Sequence, residues 1–261
     1  MSIKTELLLI LQYFKINLKT AIEYRANFII QAGAMVLNNC MWIVFWWIFM
    51  NKFESLNGWD LNGIFQLYAV LMVSWGLACM FFGKKGYIAQ SIAEGKLDFH
   101  LSLPKNVMLH LLHGKASWLG AGDFFFGLMI AILIYPFSAV PLYSVLVLCG
   151  VVIFASIAII AGSLAFFFKN AHETSRTMLH SMVIFGFYPL DIFHGASKII
   201  LLTLLPAGFV ASVPAMLLQE FNWPWFLALI GATFTFAAIA TIVFYIGLKR
   251  YESGNMMNVR V

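Results

Sequence analysis

Charge is what this sequence has least of. Aspartate, glutamate, lysine and arginine make up 10% of the 261 residues against 62% hydrophobic ones, and the mean hydropathy is +0.89. Soluble domains carry about 25% charged residues, so a water-solvated fold is excluded. Catalytic signatures are missing too. There is no G-x-x-x-x-G-K-[ST] phosphate loop, so the chain carries no such nucleotide-binding signature. No H-E-x-x-H, no G-x-S-x-G and no facing pair of acids supports a membrane-embedded enzyme. Cys40, Cys79 and Cys149 lie singly in apolar runs, without the spacing of a redox pair or a metal site, and are expected to pack. His110 and His113 have a spacing that suits a metal, but no further ligand lies near, so a surface pair is expected and no metal. The net charge of +5 does not point to nucleic acid, because the basic residues are scattered in short connectors. A secondary transporter working without an ATPase would show related halves and buried ionisable groups, and neither stands out.

What is present is apolar length. A spanning helix needs roughly 20 apolar residues, and seven stretches qualify or come close: 27–50, 62–82, 116–138, 143–168, 177–197, 199–218 and 223–248. Seven crossings would put the two ends on opposite sides, against the positive-inside rule. If 199–218 instead dips in and returns on the outer side, every basic residue except Lys52 and Lys198 becomes cytoplasmic. Pro206 and Pro214 favour that reading, since each removes a helical hydrogen bond. The expected fold is therefore all-α and integral to the membrane. It has six transmembrane helices, both termini in the cytoplasm, and an outer re-entrant hairpin before the last helix. Residues 27–261 form one transmembrane domain.

Residues 1–26 precede it. Ile3, Leu7, Ile10, Leu11, Phe14, Leu18 and Ile22 fall at helical spacing, with Lys15, Lys19 and Glu23 on another side, which predicts an interfacial helix. Leu8, Leu9 and Ile16 blur the pattern, leaving packing against the bundle open. Lys15 and Lys19 also interrupt a leucine run that imitates a signal peptide, so no cleavage is expected.

The longest polar connector, 83–115, is the most informative segment. Residues 87–94 suit a short helix stopped by Gly95, and a second helix is expected from Asn106. Between them Leu97, Phe99, Leu101 and Leu103 would be poorly placed in water. Something docks on this elbow, or it folds back on the membrane.

Other polar residues have two readings each. Asn38 and Asn39, at the centre of the first crossing, either bond to another helix or line a substrate route. Asp123, after Gly120-Ala121-Gly122, is either a proton or cation site or the partner of a cytoplasmic base such as Lys115. Asp191, His194 and Lys198 either gate an exit or form an ion pair holding the hairpin. Trp42, Trp46, Trp47, Trp59, Trp223 and Trp225 are expected as outer-boundary anchors.

Three segments resemble a known family. They are Gly95-Lys96-Leu97-Asp98 with Leu101 and Pro104; Tyr188-Pro189-Leu190 followed by Pro206, Phe209 and Pro214; and Leu248-Lys249-Arg250-Tyr251-Glu252-Ser253 at the exit of the last helix. In this order they resemble the permease subunits of ABC-2-type exporters, in the branch associated with daunorubicin-resistance-like ATPases. Leu103 departs from the basic residue common in that family before the proline, with Lys105 just beyond. The resemblance implies a non-catalytic subunit of a bacterial inner-membrane exporter, paired with an identical or sister permease. ATP and magnesium would be held by cytoplasmic ATPase chains. It also implies that Ile92, Gly95, Leu97, Asp98, Leu101 and Pro104 belong to the coupling element. Asn38 and Asn39 would lie near the substrate path, with Asp123, Pro189, Asp191, Pro206 and Pro214 structural or gating.

Overall fold

The computed structural model describes residues 3–53, 55–82, 86–115, 117–118, 120–168 and 171–251, and the regular structure among them is helical. Helix α1 (Ile3–Glu23) and helix α2 (Arg25–Phe53) meet at a break at Tyr24, and α3 (Leu61–Phe81) follows. Three short helices, α4 (Tyr87–Ala93), α5 (Leu97–Leu101) and α6 (Val107–His113), form the elbow. A hairpin of α7 (Gly120–Ile134) and α8 (Val140–Ser163) comes next, then α9 (Ala171–Gly186), α10 (Ala196–Thr203), α11 (Val213–Gln219) and α12 (Trp223–Leu248).

Four helices among the described residues are long and apolar enough to cross a membrane: α2, α3, the Phe137–Phe166 stretch that contains α8, and α12. A bent pair, Ala196–Thr203 and Gly208–Gln219, raises the number to five if counted as one broken span. The protein is thus multi-pass. Two stretches expected to cross fall short in the structure. Run 116–138 yields an α7 of only 15 residues, stopped by Pro136. Run 177–197 is cut at Gly186, where the Tyr188-Pro189 turn begins, and its helix starts in the polar residues His172, Glu173 and Arg176.

The expected break at Pro206 is present, and the two arms of the pair meet at 70°. Pro214 does not interrupt a helix. It sits in the first turn of α11, where a missing N–H costs little. The turn before it, Gly208–Ser212, is π-helical, with the Val213 N–H bonded to the Gly208 carbonyl five residues back. This wider turn faces Ser212 toward the preceding loop. Its hydroxyl accepts from the Leu190 N–H at 2.9 Å and donates to the Tyr188 carbonyl at 3.4 Å.

Helix α3 is the axis of the bundle: 78% of its apolar window is buried, against 6% for α2 and 22% for α12. Apolar burial gains little between helices in lipid, so close backbone contact must hold them. Gly76 of α3 and Gly120 of α7 supply it, because a Cβ on Gly76 would lie 2.5 Å from the Phe124 amide nitrogen and 2.7 Å from the Gly120 carbonyl oxygen. Polar links are few and internal. Trp46 Nε1 donates to the Tyr68 hydroxyl at 3.0 Å, and the Tyr143 hydroxyl donates to the Ala69 carbonyl at 2.8 Å. Trp46 and Trp59 are buried, so the tryptophans expected as a boundary belt divide: these two are core, whereas Trp47 and Trp223 remain outward.

Candidate functional site

The elbow is built from its turns. Helix α4 ends as sequence predicts, with Gly95 at φ 69°. The Gly95 N–H bonds to the Ile92 carbonyl at 3.2 Å and the Lys96 N–H to the Ser91 carbonyl at 3.0 Å, the paired closure of a Schellman motif. A side chain at 95 would strain that left-handed position. The reversal drops Leu97 inward, fully buried, while Asp98, Phe99 and Leu101 on the same short helix point out. Phe99 is 66% exposed and Leu101 43%. Helix α6 starts where expected, with the Asn106 side chain accepting from the Leu109 N–H at 3.2 Å.

A second apolar core welds this elbow to the bundle. Ile88, Ile92 and Leu97 pack with Leu111 and Leu112 of α6, with Ala155 and Ile159 of α8, and with Ala240 and Phe244 of α12. The exit of α12 adds polar ties. The Tyr251 hydroxyl is hydrogen-bonded to Asp98, and the Tyr245 hydroxyl donates to Asn106 Oδ1 at 3.4 Å. Burial first, and then the Asp98 carboxylate, push the Tyr251 phenol up to about 12.

Helix α1 lies on the same end. Phe14 stacks on Phe81 and meets Trp118 at a tilt, with centroids 5.0 Å away in each case, and Glu6 Oε1 accepts from the Asn106 N–H at 3.4 Å. The Tyr13 hydroxyl meets His110 Nε2 at 2.9 Å. The predicted apolar stripe is therefore split. Phe14 turns to protein, while Leu8, Leu11, Ile16 and Ile22 are exposed together with Lys15 and Lys19; the side chains of Ile3 and Leu7 lie outside the described ones. The expected surface pair His110 and His113 is corrected as well. Both are buried, His110 beside the ring of His100 at 5.1 Å, because α1 covers α6. Burial lowers the pKa of all three imidazoles.

At the opposite end, Asn57 (φ 50°) and Gly58 (φ 89°) form a tight turn that aims two side chains at one aspartate. Asn57 Nδ2 donates to the Asp191 carbonyl at 2.8 Å, Trp59 Nε1 to Asp191 Oδ2 at 3.1 Å, and Lys198 Nζ to Asp191 Oδ1 at 2.8 Å. Asp191 and Lys198 form the ion pair, and the cluster ties the α2–α3 turn to the base of α10. His194, beside it, is exposed.

Within the bundle, Asn39 is 1% exposed and its Nδ2 donates to Asp123 Oδ1 at 2.7 Å. Asp123 thus takes a partner from α2, where Lys115 was the expected one; the Lys115 ammonium sits 5.4 Å from the Tyr87 ring centroid. Asn38, one residue away, is exposed on the outer side of α2. Of the remaining expected residues, Pro104 is exposed, Pro189 opens the turn at Leu190, and Glu252 and Ser253 lie outside the described residues.

Geometry alone describes an apolar bundle with a folded, half-exposed elbow, and sequence comparison supplies the family. The pattern of the family described as ABC-2 family transporter protein matches residues 36–254. The chain belongs to that family. The match starts midway along α2 and takes in the elbow, the bent pair and α12, so this ABC-2 chain carries the family's pattern on its bundle, with α1 outside it. No curated protein and no solved structure matches the chain. ABC-2 chains are membrane components of transporters and are typically non-catalytic.

Proposed function

We propose that the chain is the permease subunit of an ATP-driven exporter, of the branch that accompanies daunorubicin-resistance-like ATPases. It supplies half of the transmembrane pathway and pairs with a second permease, identical or sister. ATP and magnesium are bound by separate cytoplasmic ATPase chains, which couple to it through the elbow. The membrane is the bacterial inner membrane, with both termini in the cytoplasm. The six crossings are α2, α3, α7, α8, α9 with its following turn, and α12, and the bent pair is re-entrant from outside. The cargo is a hydrophobic or amphipathic compound.

The observation that supports coupling is the two-sidedness of α5. Leu97 anchors it to a core shared with α8 and α12, while Phe99 and Leu101 stay exposed on its other side. Exposed apolar side chains on a rigid, anchored turn are what a docking partner buries. Asn38 supports the pairing, because a polar side chain exposed halfway along a span needs a second helix or a water-filled path.

Replacing Phe99 and Leu101 by serine tests the elbow without touching its anchor. The double variant should insert and purify normally, yet lose co-purifying ATPase and export. Retained ATPase and export would refute the coupling role. Orientation is tested by placing cysteine at Asn258, which an impermeant thiol reagent outside intact cells should not reach.

A further inference from the structure

A cavity of about 590 Å³ opens between α3, α7 and α8, away from both α2 and the elbow. Its inner wall is Val73, Ala131, Tyr143 and Val147, none more than 9% exposed. Its rim is different: Ile132 is 71% exposed, Leu148 58% and Phe137 90%. These apolar rim residues sit on or beside spanning helices, so the mouth faces the hydrocarbon of the bilayer and whatever fills it enters from there. The gap lies alongside α7, at Leu128, Ala131 and Ile132, because α7 and α8 both pack against α3 rather than closely against each other.

Two hydroxyls belong to this wall. That of Tyr143 is committed to the Ala69 carbonyl at 2.8 Å. That of Tyr135 is buried and has no hydrogen-bond partner, a costly arrangement in an apolar setting. The Tyr135 ring lines the cavity.

We propose that this cavity holds one acyl chain of a membrane glycerolipid, with a lipid ester oxygen at the mouth accepting a hydrogen bond from Tyr135. The volume falls within the roughly 300 to 1,000 Å³ of sites that enclose a small ligand. The lipid fills the gap between α7 and α8 and fixes their hairpin. This site is separate from the pathway proposed along α2, and it does not depend on the exporter reading.

The full chain in phosphatidylcholine vesicles, doped with phosphatidylcholine carrying a diazirine on one acyl chain, tests the proposal. Irradiation and peptide mapping should place adducts on Ala131, Val73 and Val147 inside the cavity, above the level on Leu227 and Phe234, which lie on the open face of α12. Ala131→Phe fills the cavity and should abolish the inner adducts while sparing those on Ile132 and Leu148. Tyr135→Phe, which keeps the shape, should weaken inner labelling by roughly two- to tenfold, the weight of one neutral hydrogen bond. Labelling of the inner wall no stronger than on α12, or unchanged in Ala131→Phe, would overturn the site. Equal capture of a diazirine fatty acid, which has no glycerol ester, would overturn the assignment to a glycerolipid.

Discussion

Gly76→Ala and Gly231→Ala make the same chemical change in two spanning helices and should have opposite consequences. Each gains about 1 kcal/mol of helix propensity from losing glycine. At Gly231 the new methyl meets nothing within 4 Å, so that gain is all it receives. At Gly76 the methyl would sit 2.5 Å from the Phe124 nitrogen and 2.7 Å from the Cα of the same residue. These are backbone atoms of α7, which cannot turn aside as a side chain can. Relief requires the two helices to move apart by about 1 Å, and a radial gap of that size forfeits a quarter to a half of each contact's attraction. Overpacking of this kind costs about 1 to 3 kcal/mol. Reversible unfolding in mixed micelles titrated with sodium dodecyl sulfate would measure both variants. Gly231→Ala should match or exceed the wild type, and Gly76→Ala should fall below Gly231→Ala by about 1 to 3 kcal/mol. Equal shifts in the two variants would refute the reasoning that backbone contact between α3 and α7 holds the bundle.

The α1–elbow contact should weaken in acid. His100, His110 and His113 are held below the ordinary imidazole value by burial, with Glu6 opposing the effect at His110. Above about pH 6.5 the imidazoles are neutral whether packed or released. Below it the released state binds protons first, so packing loses stability as pH falls toward the depressed native values. Hydrogen-exchange protection of α1, corrected for the intrinsic pH dependence of amide exchange, should fall between neutral and mildly acid pH, and pH-independent protection would count against it. At the other end, Trp59→Phe should destabilise more than Lys198→Met. The indole is 5% exposed and loses a bond to a charged group, about 1.5 to 3 kcal/mol. The Lys198–Asp191 pair is about a third exposed and belongs with surface ion pairs, about 0.2 to 1 kcal/mol. Thermal melts in detergent would rank the two, and the reverse order would refute the assignment of Asp191 to a buried tie.

The elbow was largely legible in the sequence because its signals are local. Gly95 needs a left-handed turn, Asn106 is a natural N-cap, and both act within a few residues of themselves. The facing of its side chains was not legible. Leu97 and Leu101 look alike in the sequence, yet one is the anchor and the other stands free, because only the position of α8 and α12 distinguishes them. The histidines were misread for the same reason: spacing says nothing of a helix arriving from residue 13 to cover residue 110. Asp123 found its donor 84 positions away, on α2 rather than in the next connector.

Composition alone determined that the chain lives in lipid, since a shortage of charge and long apolar runs are properties that no folding can change. The sequence likewise marked some helix ends, at Gly95 and Pro206, where glycine and proline act on their own backbone, while Pro214 proved to sit in a first turn and the cut at Gly186 was not foreseen. Tertiary structure decided which face of each helix is inside, and which polar residues are paired. It also left a cavity between α7 and α8. In a nearly uniform apolar sequence every face satisfies lipid equally well, so facing is set by the close approach of distant backbones and not by periodicity.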